Sequence, residues 1–307
     1  MSYRLKKKEC VPDGIRRIAA EEIHATIAEL HSVPLDGENI HEARRHLKKL
    51  RALLRLLRKH FLSTSFKNEN QTFRSAGKML APIRDARVIG KALASLKRSV
   101  GKTKPGFCFL TQALQKDDDR HEIRKAEITK ITKSLQLALG RINNWPLANL
   151  GDSEVRAALQ RSFGRCKKAF RESHKGEDDE AFHEWRKRVK DLEYHLCLFE
   201  MAWRKKTKHA WKEIKRLDSF LGDDHDMALL SEKLRDLTER VEKPSTSNGS
   251  KPLRLVEDDT TALRKTLPKI IKAISKRRTK LQQHAIKIGE NLFKEQPKVF
   301  IRRNVRL

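Results

Sequence analysis

Seven cationic side chains at helical spacing open the stretch of this chain best suited to gripping oxyanions: His41, Arg44, Arg45, Lys48, Lys49, Arg51 and Arg55. A second set, His183, Arg186, Lys187 and Lys190, follows 142 positions later. The chemistry these types support is electrostatic binding of phosphate. A guanidinium forks onto two oxygens, an ammonium acts as a mobile point charge, and an imidazole gains its charge near neutral pH. Zinc chemistry fits poorly. His46 follows His41 by five positions instead of the four of a zinc-binding helix, and Lys187 and Arg188 stand where the second copy would need a partner histidine. The sequence shows no P-loop and no paired-carboxylate motif, so no catalytic residue, metal or cofactor is expected.

A row of cations needs an element that keeps it in line. At about 100° per residue, His41, Arg44, Arg45, Lys48 and Arg55 fall within about 60° of one direction. Ala43, Leu47, Leu50, Leu53, Leu54, Leu57 and Phe61 fall on the opposite half, which is the pattern of an amphipathic helix. The second copy obeys the same wheel, with His183, Arg186, Lys187, Lys190 and Tyr194 against Trp185, Val189, Leu192, Leu196 and Phe199. At a rise of about 1.5 Å per residue the first row could line some 20 Å of groove. A flexible phosphate chain needs such a line of charge and no base-reading pocket.

The whole composition points the same way. Against 69 Lys and Arg stand 40 Asp and Glu among 307 residues, a net charge of +29, more than solubility requires. A phosphate polymer, nucleic acid and an anionic membrane all carry the complementary charge. Trp145, Trp185, Trp203 and Trp211 are too sparse for a base-stacking platform and read as core or interface residues. No apolar run is long enough for a membrane span, and Cys10, Cys108, Cys166 and Cys197 lack the spacing of a zinc or disulfide framework. The expectation is a soluble cytoplasmic protein with no membrane partner.

The apolar periodicity predicts helices throughout. Asp13 stands near the N-cap of a first helix running to Leu30, with others near 39–61, 65–80, 84–99 and 107–142. The second half answers with helices near 152–173, 179–202, 205–221, 225–240 and 257–295. The expected architecture is all-α: two related bundles of about five helices each, packed about a pseudo-twofold axis. Residues 1–12 read as a basic tail and 13–300 as one domain with halves 13–146 and 150–300. Residues 242–256 read as a loop and 301–307 as a second tail.

A further match follows each basic helix. Leu80, Arg84, Asp85, Val88 and Ile89 correspond to Leu221, His225, Asp226, Leu229 and Leu230 at an offset of 141. His-x-x-Arg followed roughly 43 residues on by an Arg-Asp or His-Asp dipeptide, twice in one basic helical chain, resembles the conserved histidine α-helical domain (CHAD) family. The resemblance covers essentially the whole chain. It is carried by His41, Arg44, Lys48, Lys49, Leu50, Arg51, Arg84 and Asp85, and by His183, Arg186, Lys190, Leu192, Tyr194, His225 and Asp226.

The resemblance implies a basic groove between two helical halves, binding of inorganic polyphosphate, and association with polyphosphate granules. Some relatives carry a triphosphate tunnel domain; no Glu-x-Glu-x-Lys motif of that kind occurs here. Asp191 and Glu193 replace positions that are usually basic, so the second stripe is expected to be the weaker. Asp85 and Asp226 read either as N-caps or as carboxylates orienting a neighbouring Arg or His, and Tyr194 as a supporting residue. The expected function is non-catalytic polyphosphate binding. Its rivals are a basic nucleic-acid-binding protein and a phosphohydrolase acting on polyphosphate.

Overall fold

The computed structural model describes residues 3–96, 107, 108, 110–112, 114, 123–174, 179–200, 208–242 and 257–305. Among the described residues every regular element is a helix. In chain order these are α1 (Val11–Leu30), α2 (Gly37–Leu56), α3 (Ser63–Met79), α4 (Ala81–Ser95) and α5 (Lys125–Arg141). A 3-10 turn (Ile142–Asn144) precedes α6 (Asp152–Ser173), α7 (Asp179–Leu198), α8 (Lys208–Glu242), α9 (Glu257–Leu292) and α10 (Pro297–Asn304). None of the described helices is long and apolar enough to cross a membrane.

The chain forms two compact units. The first comprises Met1–Ala81, Ile123–Ser219 and Ala285–Leu307, and the second Pro82–Glu122 and Phe220–His284. Each takes segments from both halves of the sequence.

Two antiparallel hairpins, α1–α2 and α6–α7, are the frame of the first unit, with α2 packing on both α6 and α7. The α1–α2 turn is set by Asp36. Its carboxylate accepts from the Glu38 and Asn39 amides while the Asn39 side chain accepts from the Asp36 amide. This reciprocal cap satisfies amides that the first turn of α2 would leave unpaired. The apolar stripe of α2, Ile40, Ala43, Leu47, Leu50, Leu53 and Leu54, is buried, which leaves its cations on the rest of the helix surface. In α7 the buried side chains include Trp185, Val189, Leu192 and Leu196. Trp185 packs 5.1 Å from Phe170, in a cluster where Phe163 stacks on Phe300 at 4.2 Å. Trp145 is buried as well, whereas Trp203 lies outside the described residues.

Several expected boundaries shift. Residues 3–12 belong to the fold: Tyr3 and Leu5 are buried, and the Leu5 amide donates to the Leu198 carbonyl. Ile301 and Val305 are likewise buried, so the C-terminal stretch packs up to residue 305. Asp13 sits in the first turn of α1, which starts at Val11. The helix expected over 107–142 is described as α5 together with residues between 107 and 114; 115–122 lie outside the described residues, as do 243–256 of the expected loop. The two helices expected near 205–221 and 225–240 are one, α8, which runs through Gly222.

In the second unit, α4, residues Phe107, Leu110 and Leu114, and parts of α8 and α9 close over a separate core. It includes Leu93, Leu96, Leu230, Leu234, Leu263, Ile270 and Ile274.

Candidate functional site

The arc of α2 that faces α3 carries Arg44, Lys48 and Arg51, and the buried leucines on the opposite side of the helix fix its direction. On α3, Arg74 and Lys78 stand one turn apart and point into the same space. Together with Leu47, Phe73, Gly77 and Ala81 they line a pocket of about 200 Å³. Five of its nine lining residues are cationic and none is acidic. Two tethers hold its wall in place. Arg44 Nη1 donates to the Gly77 carbonyl, and Arg51 Nε donates to Asn70 Oδ1 over 3.2 Å. Burial, with Arg55 and Arg74 nearby, pushes Arg51 down to about 10, while Asp191 pulls the other way. Crowding of like charge in a partly desolvated place is what an arriving polyanion would relieve.

Arg74 and Lys78 were not among the expected site residues. Their signal was available: Asn70, Arg74 and Lys78 recur every four positions, so they share one face of α3.

The other expected contacts on α2 point elsewhere. Lys49 is turned about 100° from Lys48 by the helix and meets α1. Its ammonium lies 2.9 Å and 3.1 Å from the Glu22 carboxylate oxygens and 5.2 Å from the centre of the Tyr3 ring. His46 also bonds Glu22. Lys49 therefore ties α1 to α2, and its expected role as a phosphate contact gives way to that one. Arg55 is drawn across to α7, where Nε donates to Asp191 Oδ2 over 2.7 Å and Nη2 to Oδ1. Asp191 is thus not a gap in a cationic stripe but the buried partner of Arg55, with Arg188 3.9 Å away. His41 and Arg45 are exposed at the start of α2, Arg45 beside Glu42.

On α7 the cations are neutralised within the fold. Lys187 lies 3.6 Å from Glu184 and 3.7 Å from Glu180. Lys190 bonds Glu193 at 2.8 Å and Asp218 of α8 at 2.7 Å, and sits 5.0 Å from the centre of the buried Tyr194 ring. Burial works against the Lys190 charge, yet Tyr194, Asp218 and Glu193 outweigh it and raise its pKa. His183 is half-buried beside Arg186; burial, then Lys187 and Arg186, lower its pKa. Arg186 itself is half-buried.

Asp85, His225 and Asp226 lie in the second unit, half-buried. Arg84 is on α4, and its side chain is outside the described residues. The N-cap reading fails for both aspartates. Asp226 sits in the middle of α8, where every amide has a helical partner, and Asp85 is beyond the first turn of α4. Near Asp226, the Asp223 carboxyl is pushed up by burial and by the Asp226 charge. No cluster of three or more His, Cys, Asp or Glu suited to a metal ion occurs among the described residues.

In class, the molecule is an all-α protein whose first unit presents an acid-free cationic pocket between two helices. The family model for the CHAD domain matches residues 17–235, and the chain belongs to that family. Its fold is similar to the crystal structure of the CHAD domain from the plant Ricinus communis, with a TM-score of 0.62 at 18% identity, over 92% of this chain and 95% of that one. No curated protein matches the chain.

Proposed function

We propose that this protein binds inorganic polyphosphate without transforming it, and that the α2–α3 pocket is its main point of grip. The observation that carries the reading is the pocket lining: Arg44, Lys48, Arg51, Arg74 and Lys78 converge with no carboxylate among them. Lys49, Arg55 and Lys190 of the same unit, by contrast, are each paired with an acid. A concave cluster of cations with no acid in its lining is where a flexible polyanion gains most, because several charge-assisted bonds form at once. The family resemblance independently points to polyphosphate, and granule association follows from the same reading.

The test is a titration of long-chain polyphosphate and tripolyphosphate at two salt concentrations, with a parallel assay of released phosphate in magnesium. Arg74→Gln with Lys78→Gln removes two exposed cations and should weaken long-chain binding at least tenfold, since each charge-assisted bond is worth about 1.5–3 kcal/mol before screening. Arg44→Gln with Lys48→Gln should do the same while also loosening α3 from α2. Wild-type affinity in the folded Arg74/Lys78 variant would overturn the pocket assignment, and phosphate release would overturn the non-catalytic one.

A further inference from the structure

The outer face of α9 carries a second cationic feature of different geometry. Lys265, Lys269, Lys272, Lys276 and Lys280 succeed one another at intervals of four, three, four and four residues. All five are exposed. They fall within an arc of about 80° at about 100° per residue, and the row is about 22 Å long at 1.5 Å per residue. The sequence from 261 to 289 contains no Asp or Glu. Among the described residues none of the five lysines makes an ion pair. The opposite face of the helix, Leu263, Leu267, Ile270 and Ile274, is buried in the core of the second unit, and Pro268 lies between the first two lysines of the row.

The neighbouring arginines do different work. Arg278 Nε donates to the buried Asp224 at 2.9 Å, and Arg277 donates to Ser95 at 3.1 Å. Arg277 and Arg278 are thus engaged with neighbouring side chains, and the outer row is left to lysines.

We propose that this row is a docking surface for the phosphate backbone of duplex nucleic acid. Three features select that partner. The row lies along one face of a helix whose opposite face is packed in the core, so it suits a stiff polyanion whose charges are already fixed along a line. A flexible phosphate chain can follow such a line of charge too, but it loses conformational freedom on being straightened along it, a loss that a duplex does not incur. Second, a duplex presents about one charge per 1.7 Å of axis, enough to engage every lysine of the row. Point charges without a base-reading side chain contact backbone alone, so the binding is independent of sequence. Third, a membrane-surface helix needs a free apolar face to enter the headgroup layer, and here that face is inside the core. The inference does not depend on polyphosphate binding at the α2–α3 pocket.

The test uses a fluorescent 20-base-pair duplex titrated with the full chain between 50 and 200 mM salt. Replacing all five lysines by Gln should lower affinity at least tenfold and flatten the plot of log affinity against log salt by about 4.5, from about 0.9 per phosphate contact. Replacing all five by Arg should keep both. Tripolyphosphate binding should be unchanged in either variant. If the five-fold Gln variant does not fold, Lys272→Gln with Lys276→Gln should still flatten the slope by about 2. A folded Gln variant with the wild-type slope overturns the proposal. So does a variant that keeps duplex binding but loses long-chain polyphosphate or phosphatidylserine vesicles, since the row would then serve another partner.

Discussion

His195 shows how one buried side chain holds three helices. Its Nε2 lies 2.7 Å from the Ala52 carbonyl, which only accepts, so Nε2 carries the proton and Nδ1 accepts from Ser162 at 2.7 Å. That neutral tautomer links α7 to α2 and α6. Ser162 and His195 are both buried, so the pair is structural and not a nucleophile with its base. Burial pushes His195 down to about 4, against the pull of Asp191 and of the Ala52 bond. The unfolded chain takes up the proton below about 6.5, the native state not until about 4. Stability is therefore complete above about 6.5 and falls as the pH drops through that window, by roughly 3 kcal/mol in all. Urea unfolding at pH 7, 5.5 and 4 checks this. His195→Gln should be less stable at pH 7 and should flatten the pH dependence; an unchanged slope would assign the loss to other groups.

Asp191 belongs at the same scale. From the sequence alone it looked like a defect in a cationic stripe, because a helical wheel shows which side a residue faces but not what faces it. Its partner, Arg55, is 136 residues away. Replacing Asp191 by Ala should destabilise the protein by roughly 3–5 kcal/mol, because Arg55 would be left partly buried without a countercharge. Asp191→Leu with Arg55→Leu should recover much of that loss in thermal unfolding; no recovery would mean that Asp191 acts through Arg188 instead.

At the scale of elements, α2 and α7 were legible because a buried stripe of leucine, valine and tryptophan repeats every three to four positions and leaves the cations outside. The Arg74/Lys78 wall was less so, since it becomes a site only when α3 is laid along α2. The continuity of α8 was not legible: two helices were expected, near 205–221 and 225–240, on either side of Gly222. A mid-helix glycine costs about 1 kcal/mol, and flanking buried residues such as Leu217, Leu221, Met227 and Leu230 outweigh it. Two glycines separate packing from propensity. A methyl at Gly289 of α9 would meet Phe170 at 2.6 Å and Trp185 at 3.0 Å, whereas at Gly77 of α3 it would meet nothing within 4 Å. Gly289→Ala should destabilise by about 1–3 kcal/mol through forced repacking. Gly77→Ala should stabilise by about 0.5–1 kcal/mol. Chemical denaturation of the two variants reads both signs, and a stabilising Gly289→Ala would show that the aromatic cluster has room to move.

For the whole molecule, the charge surplus was plain in the composition, but its distribution was not. Among the described residues, acids pair with cations at α1–α2, at α7 and under Arg278, while no acid lines the α2–α3 pocket and the five α9 lysines make no ion pair. A net charge of +29 makes long-range repulsion a standing load on the folded state, which holds those charges closer together than the unfolded chain does. Salt screens surface ion pairs and this repulsion alike. Exposed pairs contribute about 0–1 kcal/mol each, and the pairs that matter most, such as Lys49–Glu22 and Arg278–Asp224, are buried and weakly screened. Repulsion should therefore dominate, so raising sodium chloride from 20 to 300 mM should raise the unfolding temperature; a gain of about 1 kcal/mol corresponds to roughly 2–4 °C. At 20 mM salt, long-chain polyphosphate should raise it further than the same concentration of phosphate units as orthophosphate, because one chain spans several cations. A falling unfolding temperature with salt would mean that ion pairs, and not net charge, govern stability; equal effects of the two phosphates would mean that the cations act singly.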